Sequence, residues 1–126
     1  MRAPLAIALI LAAAAPAVAR DKAPVGHVTG PAVDCINRNQ IRDTVRPDDR
    51  TIFFRVGSNR WYRNDLPQSC PRLDDLGTAI SYKVTTGQLC SVDIVNIVDT
   101  TSGIGTLGAC GLGKFTPFER DKTANK

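Results

Sequence analysis

The apolar positions of this chain fall into short runs, most of them with a period near two. Thr51-Ile52-Phe53-Phe54-Arg55-Val56 is rich in β-branched and aromatic residues, and Gly57-Ser58-Asn59 then supplies a turn. Arg60-Trp61-Tyr62-Arg63-Asn64 returns from it, which predicts a hairpin. With Ile52, Phe54 and Val56 turned to a core, Phe53 and Arg55 face the other way. Trp61 then shares a side with Arg63, and Tyr62 with Asn64. Further along, Ile80, Tyr82 and Val84 alternate with Ser81 and Lys83, giving one buried and one wet face. Thr85-Thr86-Gly87-Gln88 turns the chain into a longer strand over residues 89–98, a second predicted hairpin. In that strand Cys90, Val92, Ile94 and Val98 share one face. Val95 and Ile97 on the other imply cover on both sides near its end.

Between the hairpins, residues 69–77 carry the punctuation of a very short helix. Ser69 can cap it, Pro71 suits its first turn, Asp74 and Asp75 favour its amino end, and Gly77 can stop it. Residues 102–113 hold five glycines, which mark bulges, bends or close backbone approach, and predict a loop followed by a kinked strand around 107–115. Cys35 opens another apolar segment with Ile36 and Ile41, and Arg46-Pro47-Asp48-Asp49-Arg50 turns it into the first hairpin. The fold class is mainly β, with about six strands and at most one very short helix. Such strands suit a small antiparallel sheet curled into a partly open barrel or a sandwich.

The ends of the chain have a different texture. Arg2, an apolar run over residues 5–15 and Ala17-Val18-Ala19 read as a cleavable export signal over residues 1–19. The apolar run is shorter than the ~20 residues of a spanning helix, and no later segment approaches that length. Residues 20–32, with Pro24, Gly26, Gly30 and Pro31, read as a flexible lead. The domain then occupies 33–118 and a polar tail 119–126, and the expected location is the periplasm or the medium.

Export changes the meaning of Cys35, Cys70, Cys90 and Cys110, because disulfides form and persist outside the cytoplasm. The spacings contain no Cys-x-x-Cys pair, so a zinc site or a thioredoxin-like motif is poorly supported. Of the three connectivities, the reading favours Cys70–Cys90, tying the short-helix loop to the neighbouring strand, with Cys35–Cys110 tying the first and last strands.

Charge narrows the partners. Without Arg2 the balance is 15 basic against 12 acidic residues, with the signs interspersed. That is far below the clustered stripe of a dedicated nucleic-acid binder. Nucleophilic catalysis has little to stand on, since the single histidine, His27, lies in the lead. The doublets Asp48-Asp49 and Asp74-Asp75 suit turn and cap roles, and no calcium-loop spacing occurs. No catalytic residue, metal ligand or cofactor is therefore assigned. The candidate contacts are Arg55, Trp61, Tyr62 and Arg63, aromatics interleaved with arginine on a sheet.

A wider set of fragments carries a resemblance. Asp34-Cys35-Ile36, Asp48-Asp49-Arg50-Thr51-Ile52-Phe53-Phe54 and Tyr62-Arg63-Asn64-Asp65-Leu66 are followed by Cys70-Pro71-Arg72-Leu73. Leu89-Cys90-Ser91-Val92-Asp93 and Cys110-Gly111-Leu112-Gly113-Lys114-Phe115 close the set. Together they resemble a family of small exported Gram-negative bacterial proteins, classed as a domain of unknown function. The resemblance implies export and a cysteine-bearing β-rich domain, and it carries no catalytic or ligand-binding residue. The leading expectation is a non-enzymatic binding module with a protein or small-ligand partner in the cell envelope. The alternatives are an enzyme built on Asp48, Asp49, Asp93 or Asp99, with or without a metal, and a weak nucleic-acid or glycan binder on a small barrel.

Overall fold

The computed structural model describes residues 22–101 and 105–122. The predicted signal (1–19), residues 102–104 of the glycine-rich stretch, and 123–126 of the polar tail lie outside the described residues. Ten strands are present among them: β1 (Gly26–Val28), β2 (Cys35–Asn37), β3 (Asp43–Val45), β4 (Thr51–Arg55), β5 (Arg60–Asp65), β6 (Thr78–Ser81), β7 (Gln88–Cys90), β8 (Ile94–Asp99), β9 (Thr106–Gly111) and β10 (Phe115–Arg120). They form a five-stranded sheet in the order β1-β10-β5-β4-β3, a pair β2-β7, and a three-stranded sheet β6-β8-β9. Every pairing is antiparallel and no sheet closes into a barrel. The arrangement is a sandwich.

Its main core lies between one face of the large sheet and the two small sheets. Ile52, Phe54 and Phe115 come from the first, Ile36 and Leu89 from the pair, and Val95 and Ile97 from the third, all of them buried. Phe54 and Phe115 meet edge to face with centroids 5.6 Å apart, an arrangement favoured by the ring quadrupoles. The β4–β5 hairpin forms as the pattern predicts, closed by Val56 N–H to the Arg60 carbonyl at 2.9 Å.

The second predicted hairpin does not form. β6 pairs with β8, and β7 pairs with β2. Residues 89–98 are two strands rather than one, because the chain turns at Ser91–Asp93: the Asp93 N–H bonds the Cys90 carbonyl at 3.0 Å, and its carboxylate accepts the Cys90 N–H at 2.7 Å. Leu89, before the turn, and Val95 and Ile97, after it, are buried, while Val92, within the turn, and Ile94, both expected to share a face with Cys90 and Val98, are exposed.

The cysteines pair as Cys35–Cys90 and Cys70–Cys110, which corrects the expected Cys70–Cys90 and Cys35–Cys110. Strand partnership decides this. Cys35 and Cys90 stand directly opposite each other in the β2–β7 register, and Cys70 reaches β9. The expected helix over 69–77 is a series of turns, Cys70 C=O to Leu73 N–H and Arg72 C=O to Asp75 N–H. Arg72 at φ 70° interrupts any right-handed helical path. A 3-10 turn lies instead at Arg38–Gln40, where the Asn37 side chain accepts the Asn39 N–H.

The lead expected to be flexible contains β1, an edge strand paired along the end of β10. Gly26 explains the close fit, since a Cβ there would stand 2.0 Å from the Glu119 carbonyl oxygen. The domain therefore begins before residue 33, and β10 carries it to Arg120.

Tyr82 packs against the main core, and burial raises its phenol above the usual value near 10, with Arg38 opposing the shift. A raised phenol favours the protonated form in the folded state. Its stabilising effect is complete below the unfolded pKa of about 10 and is lost as pH rises through the folded value. Urea unfolding across that alkaline window should show Tyr82→Phe losing stability less steeply than wild type. Parallel slopes would assign the alkaline loss to other groups.

Candidate functional site

The large sheet has a second face, turned away from the main core. Alternation along the strands places Phe53 and Arg55 of β4, Trp61 and Arg63 of β5, and Phe118 of β10 on it. The registers bring them side by side: Phe53 opposes Arg63, Arg55 opposes Trp61, and Trp61 opposes Phe118. Phe53 meets Phe118 edge to face at 5.4 Å and Trp61 at 6.5 Å, with Val45 of β3 packed beside them. This second, smaller core supports the sheet from the side that sequence alternation left open.

Of the four predicted contact residues, the fold brings three together. Arg55, Trp61 and Arg63 share the second face, whereas Tyr62 packs into the main core. The sequence reading missed Phe53 as a packed residue and Phe118 altogether. The signal was available in β10: Phe115 and Phe118 are an odd number of positions apart, so in a strand they serve opposite faces, and a second apolar cover is required.

The rings are not exposed platforms. Phe53 and Trp61 are each 5% exposed and Phe118 7%, so stacking on bases or sugars has no open surface to use. What the face offers is donors. The Trp61 Nε1 and the Arg55 Nε are buried, and neither has a hydrogen-bond partner among the described residues. Arg63 is engaged with Asp65 at 3.1 Å. Two shallow clefts adjoin Trp61. One, of about 320 Å³, lies among Lys22, Pro24, Val25, Val45, Trp61 and Arg120. The other, of about 170 Å³, lies among Thr29, Arg60, Trp61, Tyr62, Pro117 and Glu119, with Arg60 and Glu119 of opposite charge facing each other across it.

Set against protein families, curated proteins and solved structures, the chain matches none. The site must therefore be judged on its own chemistry.

The carboxylates do local work. Asp48 accepts the Arg50 N–H at 2.8 Å and the Thr51 hydroxyl at 3.4 Å, and Asp49 accepts the Ser69 hydroxyl at 2.7 Å. Asp93 holds the Cys90 turn, as described, and Asp99 accepts from both the N–H and the hydroxyl of Thr101 at 2.8 Å. These are the turn bonds that aspartate makes with its own neighbourhood. His27 is an exposed residue of β1, with Nδ1 3.2 Å from Asp121. Among the described residues no three of His, Cys, Asp or Glu are placed to hold a metal ion.

Two arginines of the predicted 46–50 turn have defined roles. Arg46 donates to the Leu73 carbonyl at 2.9 Å, the Thr78 carbonyl at 2.8 Å and the Thr78 hydroxyl at 3.2 Å. Arg50 donates to the Leu66 carbonyl at 3.2 Å and the Pro67 carbonyl at 3.1 Å. Each satisfies backbone acceptors at the end of a strand or in a loop, which loops without regular ladders require.

Proposed function

We propose that the protein is an exported, non-enzymatic binding module of the cell envelope, of the small Gram-negative family its fragments resemble, and that the second face of the large sheet is its contact surface. The observation that carries this reading is the pair of buried donors, Trp61 Nε1 and Arg55 Nε, without a hydrogen-bond partner among the described residues, with Trp61 lining a cleft bordered by Lys22 and Arg120. A buried donor without a partner is uncommon in folded proteins, and each one calls for an acceptor. The basic border favours an acceptor carrying negative charge, such as a carboxylate of a protein or small ligand. The two disulfides supply the persistence that an extracytoplasmic protein needs.

The test is affinity capture from an envelope extract on wild-type protein, Trp61→Phe and Arg55→Met. Both substitutions keep an apolar body in the second core and delete the donor. Retention of the wild-type partner should fall about tenfold in each, the effect of losing ~1.4 kcal/mol, within the range of a charge-assisted hydrogen bond. Trp61 is the only tryptophan, so its fluorescence should also shift when the partner binds. Equal retention by all three folded proteins removes the second face as the contact surface.

A further inference from the structure

The second face of the large sheet has a wall that its own strands do not supply. Residues 22–25 precede β1, and the Val25 carbonyl accepts the Asp121 N–H at 2.9 Å, which fixes this part of the lead beside the end of β10. The cleft of about 320 Å³ lies between these residues and the sheet. From the sheet it takes Trp61 on the middle strand β5, Val45 on the edge strand β3, and Arg120 at the end of β10. Lead and sheet together make one concavity.

Its lining has two chemistries. Ala23, Pro24, Val25, Val45 and Trp61 are apolar, and Val25 is 62% exposed, an apolar side chain that this chain leaves uncovered. The other members are Lys22, which is exposed, and Arg120, which is half-buried, and no carboxylate lines the cleft. Neither cation has an ion pair or a side-chain hydrogen bond among the described residues. The acids next to the lining residues are engaged elsewhere. Asp121 Oδ1 lies 3.2 Å from His27 Nδ1, and Asp43 of β3 accepts the Thr44 N–H at 2.8 Å.

Size narrows the occupant. At ~30 Å³ for each water-sized group, the cleft has room for roughly ten non-hydrogen atoms. The carboxylate arm of an aspartate or glutamate is smaller than that and would leave Val25 and Val45 uncovered. Exposed charges alone hold an anion weakly in water. Apolar contact alone does not orient a ligand, whereas an apolar lining with a few placed polar groups does both.

We propose that this cleft binds a small organic acid with an apolar body, its carboxylate between Lys22 and Arg120 and its hydrocarbon against Val25, Val45 and Trp61. This ligand class presupposes that the second face is the contact surface.

The test titrates the oxidised protein with octanoate and with phenylpropionate, a chain and a ring of about the right size, following the fluorescence of Trp61, the single tryptophan. Octanol keeps the hydrocarbon without the charge, and acetate keeps the charge without the hydrocarbon. Each should bind at least about tenfold more weakly than octanoate, and Arg120→Gln should weaken octanoate by about tenfold, the loss of one charge-assisted bond. Lys22→Gln, at an exposed residue, should cost about threefold, and reads the charge even if Arg120→Gln disturbs β10. Val25→Ser should weaken octanoate and leave acetate unchanged. Octanol or acetate binding as tightly as octanoate overturns the proposal, and so does octanoate binding that both charge variants leave unchanged. If neither acid binds while wild type still captures an envelope partner that Trp61→Phe loses, the small acid is wrong and the second face stands. If neither acid binds and no partner is captured, both fall.

Discussion

Removing the Cys70–Cys110 bridge, as Cys70→Ala with Cys110→Ala, is expected to lower the unfolding free energy by about 4 kcal/mol. The bridge spans 40 positions of sequence, and the chain-entropy treatment gives roughly that value for a loop of this size. Small domains have about 5–15 kcal/mol in total, so the variant should be near the limit of stability. Cys70 is fully buried in the main core, so the loss of its sulfur adds a packing defect. Cys35–Cys90 spans 55 positions, a comparable entropic constraint, but its sulfurs belong to half-buried residues. The Cys35/Cys90 double variant should therefore be the milder of the two, and reduction of both bridges should unfold the protein. Urea midpoints measured under oxidising conditions check the order. A Cys70/Cys110 variant within about 1 kcal/mol of wild type would show that the bridge does little beyond what packing already does.

Asn64→Leu should be nearly as damaging, for a different reason. Asn64 is fully buried at the end of β5, and its amide grips one backbone unit: Nδ2 donates to the Gly113 carbonyl at 2.7 Å, and Oδ1 accepts the Gly113 N–H at 2.8 Å. This clamp joins the large sheet to the turn between β9 and β10. Gly113 fits so closely that a Cβ would stand 2.1 Å from the Asp65 carbonyl oxygen, so the approach needs glycine. Leucine has similar bulk but leaves both backbone groups unpaired, at about 1–3 kcal/mol each. Asn64→Asp separates the two bonds. Its carboxylate can accept from Gly113 but cannot donate, and a buried charge is unfavourable. Protonation restores a donor, so the Asn64→Asp variant should gain stability relative to wild type as pH falls. Urea unfolding at neutral and mildly acidic pH reads both effects. A flat difference between Asn64→Asp and wild type would mean the side chain is not held as the geometry shows.

Elements set by neighbouring residues were legible and elements set by distant ones were not. The β4–β5 hairpin follows from two β-rich runs and a Gly-Ser-Asn turn. The segment after Thr85 has the same local chemistry but pairs with β2, more than forty positions earlier. The Ser91–Asp93 turn was hidden for a related reason. Asp93 makes it by bonding the Cys90 N–H, and an aspartate in an otherwise apolar run looks like one more alternating polar residue. The candidate site shows the same division. Alternation set Phe53 and Arg55 against Ile52 and Phe54, and Trp61 with Arg63 against Tyr62 with Asn64, but the β4–β5 register decides that Arg55 and Trp61 share a face and Tyr62 does not. Only β10 and Val45 of β3 reveal that the aromatics of that face are buried.

By itself, the amino-acid sequence determined the β class, the first hairpin, the inward positions Ile52 and Phe54, and cysteines suited to a disulfide framework. All of these rest on period, propensity and composition, which act over a few residues or over the whole chain at once. Tertiary structure alone decided which strands pair and therefore which cysteines meet. It also decided that Gly26 draws the lead into the large sheet, that Asn64 clamps Gly113, and that Trp61 and Arg55 bury donors with no partner among the described residues. Each of these joins residues far apart in sequence. Closing such loops costs entropy that only the assembled core offsets, so no local pattern announces them.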